Sequence, residues 1–206
     1  MQIASTLRLL VIGCLMLSYK PATEPALKTE LVNKDEEGAE LIRLRGHARD
    51  LKEFSSKGRY NQKIFFLVDM SLPSGRKRFF VYNSDKDSIE LAGLVAHGSG
   101  QGNSSLIEFS NNVGSNCTSL GKYEIGNAYQ GRFGLSFKLY GLDKSNDKAY
   151  ERFVVLHSFP CIPDYEVAPD NICMSWGCPT VSPSVLNKLK GYIEHSELPI
   201  LLYIYN

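Results

Sequence analysis

The chain of 206 residues lacks the features that mark several common functional classes. Its charges nearly balance, with 23 lysines and arginines against 22 aspartates and glutamates, so it has no basic excess of the kind that binds nucleic acid. No G-x-G-x-x-G spacing is present, which removes the usual indication of a dinucleotide site. G-x-S-x-G is also absent, so a serine hydrolase has no support.

Long apolar runs are missing too, and the one short run lies at the N-terminus. Residues 7–17 (LRLLVIGCLML) are apolar apart from one arginine, and residues 1–20 contain no acid. This run is too short for an ordinary membrane span and predicts an export signal or membrane anchor over residues 1–20. Residues 11–14 also resemble a lipoprotein box in which Cys14 would be lipidated, but apolar residues continue beyond Cys14 and favour cleavage or an uncleaved anchor.

The five cysteines include no C-x-x-C pair. A zinc site built from His157, Cys161, Cys173 and Cys178 is therefore disfavoured, and we predict no metal and no cofactor. Export permits disulfides. The spacing leaves two pairings open: Cys161 with Cys173, which flank a proline-rich loop, or Cys173 with Cys178, while Cys117 has no assigned partner.

The remaining pattern predicts a mainly β (β-dominated α+β) fold. Residues 21–58 are charged, with apolar residues at spacings of three and four, and predict a helical extension packed on a domain at 59–206. Ser182 before Pro183 predicts the start of a second helix. Aromatic and β-branched runs predict strands at residues 63–70, 78–82, 89–96, 121–125, 134–140, 152–156 and 199–205. The run at 152–156 is expected to be central, and residues 127–132 to connect two strands.

Cys178 is the residue with the strongest indication of chemistry. Gly177 before it permits a sharp turn, and Pro179 after it ends any strand. His157 follows an apolar strand, and an imidazolium beside a thiol is expected to lower its pKa and activate it as a nucleophile. The amides of Gly177 and Cys178 are then the expected oxyanion donors. A structural, buried cysteine is the alternative.

Ordered landmarks surround this pair. They comprise His97-Gly98, Phe109-Ser110-Asn111, Gly114-Ser115, Ser119-Leu120-Gly121, Tyr129, Gly131, Gly134, Gly141-Leu142, His157 and Ser175-Trp176-Gly177-Cys178-Pro179. From residue 63 to residue 205 this order resembles the murein L,D-transpeptidase catalytic-domain family, which has the YkuD-like fold. The resemblance implies a β-sandwich or barrel with an N-terminal helix and one helix after the cysteine.

The resemblance also implies roles. Cys178 would be the acylated nucleophile and His157 the base, with the Ser158 carbonyl orienting the imidazole and Ser175 and Gly177 shaping the oxyanion turn. The substrate-groove candidates are His97, Trp176, Asn111, Ser119 and Tyr129. The implied substrate is the peptidoglycan stem peptide, attacked at its third, diamino-acid residue with release of D-alanine. Water in place of an acceptor amine would give a carboxypeptidase.

Further expectations follow from the same resemblance. The protein would work in the bacterial periplasm or cell envelope, and carbapenem-type β-lactams would acylate its thiol. The family usually has Gly-Arg before the serine, where this chain has Cys173-Met174, so a guanidinium contact to substrate is lost. A catalytically silent murein-binding domain is the alternative from another functional class.

Overall fold

A computed structural model describes residues 24–102 and 106–206, with side chains from residue 38 onward. The predicted export segment and Cys14 lie outside the described residues. Contacts divide the chain into two units, Met1–Ala39 and Glu40–Asn206. The described part of the first unit is the beginning of one helix, and the second unit contains the sheet. Among the described residues, no helix has the length and hydropathy needed to cross a membrane. The domain boundary near residue 58 stays a prediction.

The described residues form eight strands and two helices, which confirms the mainly β class with an N-terminal helix and one helix after Cys178. In chain order these are α1 (Glu24–Ser55), β1 (Ile64–Asp69), β2 (Phe79–Asn83), β3 (Ser88–Gly93), β4 (Gly121–Gly131), β5 (Gly134–Gly141), β6 (Val155–Ser158), β7 (Thr180–Val181), α2 (Pro183–Glu194) and β8 (Leu201–Tyr205). The start of α2 is as predicted, because the Ser182 side chain accepts a hydrogen bond from the Val185 amide at 3.1 Å.

All eight strands belong to one sheet, in the order β3-β2-β1-β8-β4-β5-β6-β7. β1 and β8 are parallel, β6 and β7 are parallel, and the other neighbours are antiparallel. The prediction of a central strand at residues 152–156 is wrong, because β6 begins at Val155 and lies beside the edge strand β7. Its apolar character comes from packing, since Leu156 belongs to the same core cluster as Val185 and Leu189 of α2.

The connection predicted at residues 127–132 is largely strand. β4 continues to Gly131, with a register shift between Ile125 and Ala128, and Gly131 pairs with Gly134. Only Arg132 and Phe133 form the turn, and Gly134 has a φ of 81°. Arg132 and Phe133 do not have positive φ values, so the positive φ falls on Gly134, directly after the turn, where glycine adopts it without strain. The long hairpin therefore carries its tip beyond the body of the sheet.

The sheet has a hydrophobic core on each face. Alternate residues of β1 point to opposite sides, so that Phe66 and Val68 join one cluster with α2 while Phe65 and Leu67 join another with α1. This two-sided burial explains why β1 reads as a continuous apolar run. The residues that α1 contributes are Leu44, Ala48 and Leu51.

The segment between β6 and β7 is closed by a disulfide between Cys161 and Cys173, with their Cα atoms 6.3 Å apart. Ile162 and Ile172, next to the two cysteines, are buried against Leu94 and Ala96. The alternative bond between Cys173 and Cys178 is wrong, because Cys178 is a free thiol. The disulfide also uses two of the four residues that the disfavoured zinc site would need.

Candidate active site

The pairing of β6 with β7 brings the predicted histidine and cysteine together. In this parallel pair His157 is in register with Thr180, and Ser158 with Val181. Cys178 precedes Thr180 by two residues, so it lies level with Val155 at the start of β6. Residues 175–178 form the turn that holds Cys178, the cysteine turn. Because neighbouring strands are about 4.8 Å apart, this turn and His157 occupy adjacent positions at this edge of the sheet.

His157 is held at both ring nitrogens. Its side chain is buried, with Nδ1 3.1 Å from the Ser158 carbonyl oxygen and Nε2 3.0 Å from Thr180 Oγ1. A carbonyl oxygen only accepts, so Nδ1 carries the proton and Nε2 is the basic nitrogen. Burial lowers the pKa of His157, opposed by the hydrogen bond to Ser158, so the ring is neutral at pH 7.

The Cys178 thiol is held by β6. Sγ donates to the Phe153 carbonyl oxygen at 3.8 Å. Burial raises the pKa of the thiol, while the Val155 backbone and the charge of Arg152 act in the opposite direction. The sequence predicts a lowered pKa through an imidazolium, but the neutral ring of His157 supplies no charge and burial dominates. The resting cysteine is therefore a thiol that needs a base before it can attack.

Gly177 and Ser175 fix the turn that presents Cys178. Gly177 has a φ of 105°, and a Cβ on it would lie 2.6 Å from the Cys117 carbonyl oxygen, so only glycine fits. Ser175 Oγ accepts from the Gly177 amide at 3.1 Å and donates to the Cys178 carbonyl oxygen at 2.7 Å. The Gly177 amide, predicted as an oxyanion donor, is thus used inside the turn.

Arg152 is a site residue that the sequence analysis did not single out. Its guanidinium donates to the carbonyl oxygens of Ser110 at 2.9 Å and Cys117 at 2.6 Å, and to Ser119 Oγ at 3.0 Å. Arg152 therefore lies between the loop before β4 and the turn that holds Cys178. Its Nη2 is so close to Gly177 that an added Cβ there would lie 3.3 Å from it. The fixed positive charge favours the thiolate form of Cys178.

Aromatic side chains form one wall of the site. The Phe133 ring, at the tip of the β4–β5 hairpin, stacks on His157 with centroids 4.6 Å apart and an angle of 17°. Phe159 packs edge-on against Phe133. The Arg132 guanidinium lies over both Phe133 and Trp176, at 5.8 and 5.9 Å from the ring centroids. Trp176, a predicted groove residue, is 70% exposed and borders the site through this contact.

The structure separates the other predicted groove residues. Tyr129 is in register with Ser136, which is in register with His157, so Tyr129 lies in the same cross-strand row two strands away. Ser119 is buried and bonds Arg152 and Tyr123, behind the cysteine turn. Asn111 donates to the Lys144 carbonyl oxygen and the Asp147 carboxylate, which gives it a place in loop structure.

His97 is bonded to the cysteine turn through its backbone. Its carbonyl oxygen accepts from the Ser175 amide at 2.8 Å, and the Ser99 amide donates to the Ser175 carbonyl oxygen at 2.8 Å. The His97 residue borders a cavity of about 400 Å³. Its walls comprise Pro73, Ser74, His97, Gly98, Ser99, Gly102, Leu106, Ile107, Glu108, Asn171, Ile172 and Met174.

The comparison with protein families decides the assignment. The family model described as the L,D-transpeptidase catalytic domain matches residues 36–205. The chain belongs to this family. The resemblance of the landmarks from His97 to Cys178 is thereby confirmed, and the mainly β sheet with its two helices is the fold of an L,D-transpeptidase domain. The comparison with curated proteins found no significant match.

Several solved structures are similar to this L,D-transpeptidase domain. An L,D-transpeptidase variant from Enterococcus faecium is 13% identical, with 69% of this chain and 50% of that chain covered and a TM-score of 0.43. The helical cell shape determining protein Pgp2 from Campylobacter jejuni is 14% identical, with 75% and 55% covered and a TM-score of 0.43. Bd1075 from Bdellovibrio bacteriovorus is 20% identical, with 69% and 48% covered and a TM-score of 0.42. The chain thus spans about half the length of these proteins.

Met174 and Thr180 are two positions of this L,D-transpeptidase domain whose surroundings the structure describes. Met174 stands where an arginine was expected, is 59% exposed and borders the cavity, so no guanidinium is present at that point of the wall. Thr180, which follows Pro179, is the partner of His157 Nε2. Sequence reasoning missed Thr180, Phe133 and Arg152. Thr180 could have been found, because it places a hydroxyl two residues after Cys178.

Proposed function

We propose that this chain is a peptidoglycan-modifying cysteine acyltransferase that forms 3–3 cross-links between stem peptides. The observation that carries the proposal is the register of β6 with β7, which places the turn of Cys178, just before β7, beside the strand of His157. A thiol and a neutral imidazole in that arrangement suit acyl transfer. Membership of the L,D-transpeptidase family gives the substrate class.

The first half of the reaction makes a thioester. His157 Nε2 takes the Cys178 proton, directly or as the Thr180 hydroxyl turns away, and Sγ attacks the carbonyl carbon of the third, diamino-acid residue. The C–N bond to the terminal D-alanine then breaks, and the imidazolium returns its proton to the departing amine. The Ser158 carbonyl keeps the ring in the required tautomer by accepting from Nδ1.

The Cys178 amide is the group that donates a hydrogen bond to the oxyanion of this step. The Gly177 amide already donates to Ser175 Oγ, and Ser175 fixes the turn by bonding the Cys178 carbonyl oxygen as well. Arg152 adds a positive charge whose effect on Cys178 favours the anion. Ser175 and Gly177 act as positioning residues, because neither presents a free group to the reacting carbonyl.

The second half resolves the thioester. The side-chain amine of a neighbouring stem attacks the acyl carbon, His157 accepts the amine proton, and the Cys178 thiol is regenerated as the new amide forms. Water in the place of the amine would instead trim the stem. This chemistry belongs in the bacterial periplasm or cell envelope, and the Cys161–Cys173 disulfide supports an oxidising compartment.

Purified tetrapeptide muropeptides provide the direct test. The full chain should convert them into dimers with loss of D-alanine, as read by mass spectrometry. Monomers that lack D-alanine would assign the carboxypeptidase reaction instead. If neither product forms while the folded protein binds muropeptides, the acyltransferase proposal fails and a silent binding domain takes its place.

A carbapenem supplies a second test, independent of the substrate. Intact-mass analysis should show one adduct on the wild-type chain and none on Cys178→Ala. Cys117→Ala is the matched control, since Cys117 is the other free cysteine of the described residues and is buried. This control should acylate as the wild type does, and an adduct that persists on Cys178→Ala would remove Cys178 as the nucleophile.

A further inference from the structure

Arg78, a fully buried arginine, lies behind His97. Its guanidinium donates to the Val95 carbonyl oxygen from Nε at 3.1 Å and Nη2 at 2.9 Å, and to the Leu72 carbonyl oxygen at 3.0 Å. Nη2 also lies 2.8 Å from His97 Nδ1. Every one of these acceptors is uncharged, so the arginine keeps its positive charge inside the fold without a bonded carboxylate among them.

The charge of Arg78 persists at neutral pH. Burial lowers the pKa of Arg78 to about 10, with the Asp69 charge acting in the opposite direction. The Asp69 carboxylate itself is bonded to Arg43 at 2.9 Å and to Ser71. The positive charge of Arg78 therefore also acts on its hydrogen-bonded neighbour, the His97 ring.

Arg78 also fixes the tautomer of His97. A guanidinium has donors only, so His97 Nδ1 must accept and the ring proton must be on Nε2. Burial, and next the charge of Arg78, lower the pKa of His97 to about 4. The ring is thus an uncharged donor across the physiological pH range, with a positive charge directly behind it that strengthens Nε2–H as a donor.

His97, the residue that carries this donor, borders the cavity beside the turn that holds Cys178. His97 lies on the wall together with Ser99, Asn171 and Met174, and its own carbonyl holds the Ser175 amide. Glu108 is the formal charge on the wall, and because it is exposed, water screens it. The buried Arg78 has no such screening, so an acceptor oxygen, and a carboxylate most strongly, is the group that this corner of the cavity favours.

We propose that His97 is a specificity-determining hydrogen-bond donor that binds a carboxylate of the peptide stem in this cavity, with Arg78 as its positioning residue. The proposal rests on the proposed function for the identity of the peptide. Stem peptides carry more than one carboxylate, and all share the chemistry that Nε2–H recognises. The apolar surface of Met174 and Ile172 would cover the carbon chain beside it.

The tautomer is tested without any substrate. In ¹⁵N NMR spectra of the histidine-labelled full chain, His97, assigned by its loss in His97→Gln, should show a protonated Nε2 and an unprotonated Nδ1 at every pH from about 5 to 8. Arg78→Met, which removes the positive charge, should let the ring titrate at a higher pH, because that charge is one of the two causes that lower the pKa of His97. A proton on Nδ1, or a midpoint near 6.5 in the wild type, would overturn the proposal.

Binding is tested in the Cys178→Ala background, where turnover does not occur. Tetrapeptide stems are compared with stems amidated at one carboxylate at a time. One amidation should weaken binding about tenfold or more, since a hydrogen bond to a charged group is lost, and the peptide affected identifies which carboxylate is bound. His97→Phe should bind the free and amidated stems equally, whereas His97→Gln should keep part of the preference because its amide nitrogen replaces Nε2.

The matched control is His195→Phe, since His195 lies at the end of α2 and its Nδ1 bonds the Gly191 carbonyl oxygen. It should keep the wild-type preference. The proposal is refuted if all amidated stems bind as the parent does, or if His97→Phe retains the preference. A carboxylate preference with no turnover in the muropeptide assay would instead refute the proposed function, so the two failures are distinguishable.

Discussion

The Thr180 hydroxyl lies 3.0 Å from Nε2 of His157, and the same oxygen lies 3.3 Å from the Cys178 carbonyl oxygen. While His157 is neutral, the hydroxyl proton can be donated to Nε2. Once Nε2 is protonated, it donates to Thr180 Oγ1, and the hydroxyl proton turns to the Cys178 carbonyl. Thr180 thus serves both protonation states of the base with a rotation of one hydrogen.

Replacing Thr180 separates this role from simple packing. Thr180→Val keeps the shape of the side chain and removes the hydroxyl, so kcat for acylation should fall about tenfold, the cost of one hydrogen bond to a charged partner. Thr180→Ser restores the hydroxyl and should remain within about twofold of the wild type. Stopped-flow carbapenem acylation measures both, and a fully active Thr180→Val would show that the hydroxyl does not assist His157.

The pH dependence of acylation should follow the neutral form of His157. Burial lowers the pKa of His157 in the folded protein. The acid limb of the pH–rate profile should therefore have its midpoint below the ordinary histidine pKa of about 6.5, and the rate should then stay level. The raised pKa of Cys178 places any further change, from direct ionisation of the thiol, above about pH 8.5. A rate that still rises between pH 7 and 8 would contradict the assignment of His157 as the base.

Phe133 should control the position of that limb. The ring covers His157, so Phe133→Ala admits water, relieves the desolvation that lowers the pKa, and moves the acid limb to higher pH. Tyr165→Ala is the control, because the Tyr165 side chain is 70% exposed to solvent. The same pH series on both variants gives the result, and an unmoved limb in Phe133→Ala would show that the hairpin tip does not shield the base.

Gly177→Ala should damage the turn and the activity together. The φ of 105° and the close Cys117 carbonyl oxygen make the expected loss in the free energy of unfolding about 2–4 kcal/mol. Gly58→Ala has nearly the same φ, 102°, with nothing within 4 Å of the added Cβ, and should lose only about 1–2 kcal/mol with normal acylation. Urea unfolding compares the two, and equal losses would show that the Cys117 contact is unimportant.

Removal of the disulfide should lower stability and leave the chemistry in place. A cross-link that closes a loop of this length contributes about 2–3 kcal/mol by restricting the unfolded chain. The double variant Cys161→Ser/Cys173→Ser should therefore lose about that amount in urea unfolding and still be acylated at Cys178 once folded. Cys117→Ser controls for the loss of a cysteine alone, and a complete loss of acylation in the folded double variant would assign the disulfide a role in the site itself.

The sequence predicts most strands and the closeness of Cys178 to His157, because these depend on local pattern and on a chain of ordered landmarks. Arg152 could not be predicted in the same way. It stands next to an apolar run and reads as part of a strand, whereas its partners lie 33 to 42 residues away in the loop before β4. Long-range contacts of this kind are fixed by topology and leave no periodic signal.

Phe133 and Arg78 illustrate two other limits. The place of Phe133 over His157 depends on the β4–β5 register reaching Gly131 and Gly134, and a bulge between Ile125 and Ala128 conceals that register in the sequence. Arg78 opens a strand-like run and would ordinarily be expected at the surface. Its burial depends on the Leu72 carbonyl from one segment and on the Val95 carbonyl and the His97 ring from another.

The parallel pairing of β6 with β7 has a consequence for how this domain can vary. The separation of His157 from Cys178 is set by the parallel register of β6 with β7, in which His157 is opposite Thr180, and not by the length of the loop between Cys161 and Cys173. Residues 163–171, which lie inside the loop that the disulfide closes, can therefore change in number while the reacting groups keep their spacing. The domain has a stretch where new substrate contacts can evolve at little cost to the chemistry.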